Sequence, residues 1–293
     1  MTKQLQISGR GRGYISRNKA PLAFIAPSFI GVLIFVLIPF ADVLRRSFFT
    51  ATGSNFVGIT NYLNVFSNDA FRLAAGNTLK FVAVCIPTLV AMSLVLALLV
   101  SGARRGGDAA KSVFLLPLVI PAASMVLIWK LFFHNDGLIN SLTGSAFGTT
   151  VPFMASAAAF WVLTISYLWK NMGYDMVLWM GGLSKIPLEI YEAAAVDGAG
   201  SVRRFFSITL PNLVGVLFMV IVLSLLNSFK VFREAYLVAG EYPHTSMYML
   251  QHLFNNWFTA LDIEKLCAGA VVLAAVIFIL ISLWMRLIGE GDD

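Results

Sequence analysis
Six runs of apolar residues are spaced along the chain, from Leu22 to Phe40, Phe81 to Val100, Ser112 to Phe133, Phe153 to Leu183, Leu213 to Phe232 and Leu266 to Leu287. A helix needs about 20 such residues to cross the hydrocarbon core of a bilayer. The pattern predicts an all-α polytopic membrane protein with six transmembrane helices. The fourth run exceeds one simple crossing and is interrupted by Lys170, Asn171, Gly173 and Asp175. A kink, a steep tilt or a protrusion into the cytoplasm would accommodate it. Pro87, Pro117 and Pro121 fall within apolar runs and are expected to bend helices.

The polar segment between the fourth and fifth runs has a pattern of its own. From Pro187 it reads as a short helix, with Pro187 at the first helical position and Ala193, Ala194 and Ala195 as good helix formers. Asp197-Gly198 interrupts it, because glycine tolerates the left-handed conformation that ends a helix. A second short helix follows, capped by Ser201. Val202, Phe205 and Phe206 share one face, and Arg203, Arg204 and Ser207 lie on another. Leu210-Pro211 stops it before the fifth run. The expected product is a helix-turn-helix over 185–212 whose small residues let a partner approach closely.

Composition excludes a soluble protein. Of 293 residues, 58% are hydrophobic and 12% charged, with mean hydropathy +0.81; soluble domains carry about 25% charged residues. The net charge of +6 is explained by basic residues on the cytoplasmic side, without nucleic acid. That rule places inside the basic tail at 1–20, the loop with Arg104, Arg105 and Lys111, the loop with Lys185, Arg203 and Arg204, and the C-terminus. Three outer loops carry Arg45, Arg46, Arg72 and Lys265 with few other basic residues, and Arg45 and Arg46 run against the rule. The tail, with Gly9, Gly11 and Gly13 among basic residues, reads as flexible, and residues 21–289 as one membrane domain. The first run has no small-x-small cleavage site after it and reads as a retained anchor.

The two cysteines, Cys85 and Cys267, sit in apolar runs and form no disulfide framework. His134, His244 and His252 are far apart in predicted loops, so neither a metal site nor a cofactor is expected. The chain lacks a Gly-x-x-x-x-Gly-Lys-Ser/Thr phosphate loop and a nucleophile–base pair. Neither ATP hydrolysis nor other catalysis is expected of it.

Glu192-Ala193-Ala194, followed by Gly198 and Ile208-Thr209-Leu210-Pro211, resembles the EAA loop of ABC importer permeases. The resemblance covers most of the chain and points to the carbohydrate-uptake branch, to the first of two maltose-type permeases. The segments Phe56 to Phe66, Asn77 to Phe81, Leu115 to Ala122, Gly137 to Asn140 and Asn227 to Phe232 fit that branch. The resemblance implies a six-span permease in a bacterial plasma membrane, importing a sugar or related small polar solute by alternating access. Its partners would be a second permease, a pair of ATPase subunits and an extracytoplasmic solute-binding protein. Its loop would dock into a cleft on the ATPase, Glu192 making the polar contact, Ala193 and Ala194 packing closely, and Asp197 and Gly198 forming the turn. The alternative role for Arg203 and Arg204 is contact with anionic lipid.

Polar residues inside apolar runs are candidates for the solute path, because they are costly in lipid and face a cavity or a partner. Ser224, Asn227 and Lys230 fall on one side of the fifth run; Trp169, Lys170 and Asp175 fall in the fourth, and Trp161 and Trp169 could stack on a sugar ring. The competing readings are that Lys130 and Lys230 snorkel to an interface, that Trp129 belongs to an interfacial belt, and that Lys170 pairs with Asp175 or both lie at the cytoplasmic surface. A glycerol phosphate or polyol permease would use Lys170, Lys230 or Arg233 as cationic donors. An ion-coupled secondary transporter would have to rely on Asp175.

Overall fold
Two prolines shape the two ends of the bundle in the same way. The computed structural model describes residues 19–102, 107–148 and 150–289, so most of the basic tail, Arg104, Arg105 and the last four residues lie outside it. The first run forms α1 (Lys19–Val32) and α2 (Ile38–Arg46), joined without a break by a π-turn at Leu33–Leu37. The Ile38 N–H reaches back to the Leu33 carbonyl, immediately before Pro39. A proline ring crowds the preceding turn and offers no N–H, and a widened turn relieves both problems. The device recurs at Phe205–Thr209, where the Leu210 N–H bonds the Phe205 carbonyl immediately before Pro211. At the end of α2 both arginines turn back onto one carboxylate: Arg45 bonds Asp42 at 3.1 Å and Arg46 at 2.6 Å.

A short α3 (Thr60–Ser67) precedes α4 (Asp69–Gly102), which has 34 residues. The Asn68 side chain caps it by accepting from the Phe71 N–H at 3.0 Å. At 1.5 Å per residue α4 is about 51 Å long, more than a hydrocarbon core of about 30 Å. The third run is not one helix. α5 (Gly107–Val119) and α6 (Ala122–Phe133) are separated at Ile120 and Pro121, and Gly107–Val119 is bent by 95° from the stretch Ala122–Ser145. Pro121 takes an extended conformation and opens the new helix. α7 (Leu138–Phe147) follows and ends at Gly148 with φ +66°.

α8 (Ala158–Leu183) is an uninterrupted helix of 26 residues. The polar interruption in the fourth run is therefore chemical and not a break in the helix. α8 is the hub: α4, α5 and α12 all pack on it. The connector forms α9 (Leu188–Val196), α10 (Ser201–Arg204) and α11 (Leu210–Asn212). α12 (Val214–Ser228) continues through a tight turn at Phe229–Val231 into α13 (Phe232–Ala239), and α14 (Leu250–Thr259) precedes α15 (Ile263–Gly289).

Among the described residues, four helical stretches are long and apolar enough to cross a membrane: Phe24–Arg46, Asp69–Gly102, Val214–Ala239 and Ile263–Arg286. The bent α5–α6 pair makes five if it counts as one span. α8 carries charges in its middle and is not among them.

Three buried clusters mark the two ends and the centre. Phe71, Tyr248 and Trp257 lie at one end; Phe81, Trp129 and Tyr167 in the middle; Ala97, Met176, Trp179 and Leu213 at the other. His252 does not lie in a loop as its sequence suggested. It is fully buried within α14, with its ring edge-on to Phe232 at 4.8 Å.

Candidate functional site
The connector between α8 and α12 is built as a two-helix unit. Pro187 is extended and stands one residue outside α9, which begins at Leu188. Asp197, Gly198 and Ala199 then donate their N–H groups back to Ala193, Ala195 and Ala194 at 3.1, 3.1 and 2.9 Å. These bonds satisfy the last carbonyls of the helix, and they need a left-handed residue, which Gly198 supplies at φ +78°. A Cβ at Gly198 would meet nothing within 4 Å, so the position is open on its outer side. Gly200, extended, is the residue before α10, while Ser201 is already helical and its side chain caps nothing. Pro211 does not stop the helix either. The preceding π-turn absorbs it, and the backbone bends at Leu213, with φ −96° and ψ 1°.

The two arms are tied together by Tyr191, whose hydroxyl lies 2.8 Å from the Thr209 hydroxyl. Glu192, Ala193, Asp197 and Gly198 are exposed and Ala194 is half-buried. Val196, Val202 and Phe206 are also exposed, at 88%, 72% and 61%. Together they form an exposed apolar surface beside a small-residue turn. The unit hangs from the end of α8, where Trp179 is buried and donates to Ser93 at 3.0 Å.

A cavity of about 220 Å³ lies farther along α8, walled by α5, α6, α8 and the α12–α13 segment. It gathers Trp129, Lys170, Asn171, Asn227, Lys230 and Glu234. Lys170 forms an ion pair with Glu234, not with Asp175. The Glu234 side chain is 7% exposed and that of Lys170 23%, so neither is a surface charge. Lys230 donates to Asn227 Oδ1 at 2.8 Å. The Asn171 amide donates to the Tyr167 carbonyl at 2.8 Å. Trp129 is 1% exposed, so it is no interfacial belt residue, and its Nε1 has no acceptor among the described residues.

The other candidates fall off the cavity wall. Ser224 is buried and donates to Asp175 Oδ2 at 2.7 Å, while the Tyr167 hydroxyl donates to the Ser224 carbonyl at 2.6 Å. This network fastens α8 to α12 inside the protein. Asp175 is fully buried, away from any surface. Trp161 and Trp169 are exposed, at 56% and 39%, and neither lines the cavity. Glu234 was missed because it lies beyond the fifth apolar run, which ends at Phe232. Its spacing from Lys230, one helical turn on, was the available signal.

Residues 81–290 match the family described as binding-protein-dependent transport system inner membrane component. The chain is 29% identical over 282 residues to the probable ABC transporter permease protein YesP of Bacillus subtilis, covering 92% of this chain and 90% of that one. It is 29% identical over 276 residues to the sulfoquinovosyl glycerol transport system permease protein SmoG of Agrobacterium fabrum, again over 92% and 90%. It is 28% identical over 275 residues to the sn-glycerol-3-phosphate transport system permease protein UgpA of Salmonella typhimurium, over 91% and 92%. Its fold is similar to a chain of a bacterial ABC transporter involved in the import of the acidic polysaccharide alginate, with TM-score 0.82, 21% identity, and 95% and 98% of the two chains covered.

Proposed function
This chain belongs to the family of inner membrane components of binding-protein-dependent transport systems, a multi-pass permease subunit of an ABC importer and not itself an enzyme, and we propose that it carries a sugar or related polar solute. The relatives named above transport such solutes or share the family with proteins that do. ATP hydrolysis belongs to a separate subunit. The assembly comprises a second permease, two ATPase subunits and an extracytoplasmic solute-binding protein. The chain crosses a bacterial plasma membrane six times, with α5–α6 as a broken crossing and α8 as a protein-lined one, and both termini are cytoplasmic.

The observation that carries the reading is the connector from Leu188 to Asn212. Its exposed Ala193 and Gly198 give close approach, Glu192 gives a polar contact, and Val196, Val202 and Phe206 give apolar area. The Tyr191–Thr209 bond makes it one body. When ATP closes the ATPase dimer, a docked rigid unit moves with it and carries α8 and α12, which wall the cavity. The cavity is this chain's share of the solute path, formed by Asn227, Lys230 and Lys170, with Ser224 and Asp175 holding its wall in place. An ion-coupled mechanism would have relied on Asp175, which is fully buried and accepts from Ser224.

The test is reconstitution. The chain co-expressed with its neighbouring permease and ATPase, in proteoliposomes with the binding protein, takes up solute only when ATP is supplied. Uptake by this chain alone, driven by an ion gradient, overturns the reading.

A further inference from the structure
α3 (Thr60–Ser67) has eight residues, too few to cross a bilayer, yet it is fixed where two crossings end. It packs on α15 and α4. Its Val65 and Tyr62 join Leu266, near the start of α15, in the cluster of Phe71 and Trp257, at the end of the bundle away from the connector. The end of α2 holds it from another side. The Asn61 amide donates to the Ser47 and Phe49 carbonyls at 3.0 and 2.8 Å, and the Tyr62 hydroxyl lies 2.6 Å from the Ser47 hydroxyl. Ser47 is fully buried and directly follows Arg46, where the first candidate span ends; Ile263 begins the last. α3 is thus level with the ends of two spans.

Around its axis α3 has three sectors. Asn61 and Val65 are buried against the protein. Ile59, Leu63 and Phe66 are four and three residues apart, share a second sector, and are 65%, 60% and 52% exposed. Thr60, Asn64 and Ser67 follow the same spacing on a third sector and are exposed as well. Residues two apart differ by about 200° around a helix. Leu63 is two residues from both Asn61 and Val65, so the apolar row points away from the protein. Thr60 and Asn64 are each two residues from Tyr62, whose hydroxyl reaches back to the end of a span, so the polar row points away from that span. On α2 the exposed apolar residues run up to Leu44, three residues before Ser47.

We propose that α3 is an interfacial helix, with Ile59, Leu63 and Phe66 in the headgroup–acyl boundary of the leaflet opposite the connector and Thr60, Asn64 and Ser67 in water. A helix lying in that boundary with one apolar and one polar exposed row is the arrangement a lipid surface selects. Water accounts for the polar row and not for the apolar one. A protein partner accounts for the apolar row but not for its level with the span ends, nor for the polar row turned away from the neighbouring span. The lipid continues the apolar surroundings that the exposed face of α2 already requires.

The experiment uses the full chain, assembled with its partner permease and ATPase subunits, in nanodiscs. Leu63→Cys, Phe66→Cys, Asn64→Cys and Ser67→Cys are made singly and labelled with a small thiol-reactive fluorophore; all four positions are exposed, and the native Cys85 and Cys267 are buried. One quencher is a lipid carrying a nitroxide near the carbonyl end of its acyl chain, the other is iodide in the water. The nitroxide lipid quenches the labels at 63 and 66 at least about twofold more than those at 64 and 67, and iodide shows the reverse order, as an apolar face sunk in the boundary requires. The polar-row positions control for any tendency of the fluorophore itself to enter lipid. Adding the solute-binding protein leaves both orders unchanged. Equal access of iodide to all four labels puts the apolar row in water and overturns the proposal. Shielding of 63 and 66 from both quenchers, or loss of their lipid quenching when the binding protein is added, assigns the row to a protein partner and overturns it as well.

Discussion

Gly173 in α8 lies against the main chain of Phe114 in α5, so closely that a Cβ at Gly173 would stand 1.9 Å from the Phe114 carbonyl oxygen. The obstacle is backbone and cannot rotate aside. α5 is the helix that breaks at Pro121 and walls the cavity together with α8. One glycine thus sets how near the broken crossing comes to the hub.

Gly173→Ala therefore forces α5 away from α8. Overpacking of this kind costs about 1–3 kcal/mol. Gly181→Ala, in the same helix, meets nothing within 4 Å and is neutral or stabilising, since alanine is the better helix former by about 0.5–1 kcal/mol. Thermal unfolding of the purified assembly should show the first variant below wild type and the second level with it or above. A Gly173→Ala protein as stable as wild type would mean that the close approach does not hold in the assembly.

Removing one partner of the Lys170–Glu234 pair leaves the other without a counter-ion in a largely buried place. Breaking a fully buried pair costs about 3–5 kcal/mol, and the residual exposure of Lys170 lowers that figure. Glu234→Leu and Lys170→Met should each destabilise, while the two together recover most of the loss, because an apolar pair needs no counter-charge. The measurement is a double-mutant cycle on thermal stability. Additive losses would show that the two side chains act independently.

The helical, polytopic character was legible because 20-residue apolar runs have no other good explanation. The connector was legible as well, since Ala193 to Gly198 specify a helix and its stop through local chemistry. Element ends were not. α4 begins at Asp69, ahead of the apolar run, because Asn77 leaves water by donating to the Thr245 and Tyr248 carbonyls at 2.6 and 2.8 Å. Lys80 stays on the helix by resting over the Phe160 ring at 4.5 Å. The bend at Pro121 was foreseen as a bend but not as a broken span. The partner of Lys170 could not be read at all: Glu234 is 64 positions away, and only the fold brings it close.

Gly198→Asp tests the connector. Its φ of +78° is poorly tolerated by a residue with a Cβ, and the added carboxylate projects into the open space in front of the turn. The chain should still reach the membrane, because Gly198 supports no buried contact. Uptake and co-purification of the ATPase should fall together, by tenfold or more on the order of magnitude of a disrupted docking turn. Normal uptake would remove the docking role from this turn.

His252 makes stability depend on pH. Burial without an acceptor for Nε2 lowers its pKa from 6.5 to about 4, and its Nδ1 accepts from the Met249 N–H at 3.3 Å. The folded chain therefore binds this proton later than the unfolded chain as pH falls. Stability is at its plateau above about pH 6.5 and declines between about 6.5 and 4. Thermal midpoints measured from pH 8 to 4 should fall in that window, and His252→Gln should flatten the fall. An unchanged slope in the variant would assign the acid sensitivity to other groups.

The orientation of the whole chain can be tested with single cysteines, and the structure indicates where to put them. The Asn77 bonds to Thr245 and Tyr248 and the stacking of Phe71 on Trp257 hold the start of α4 and the segment before α14 at one end of the bundle. The approach of Ser246 to the Ser156 carbonyl at 3.5 Å brings the start of the α8 region to the same end. Trp179 and Leu213 anchor the connector at the other end. Asp69, Thr150, Glu241 and Ser201 are all exposed, and the native Cys85 and Cys267 are 0% and 5% exposed and give little background. Asp69→Cys, Thr150→Cys and Glu241→Cys should react with an impermeant thiol reagent added to spheroplasts, and Ser201→Cys only after the membrane is opened. Since the first three share one end, they must label as a group whichever way the chain is inserted. Labelling of Ser201→Cys alone would therefore reverse the topology, while labelling of all four from outside would break the assignment of the two ends.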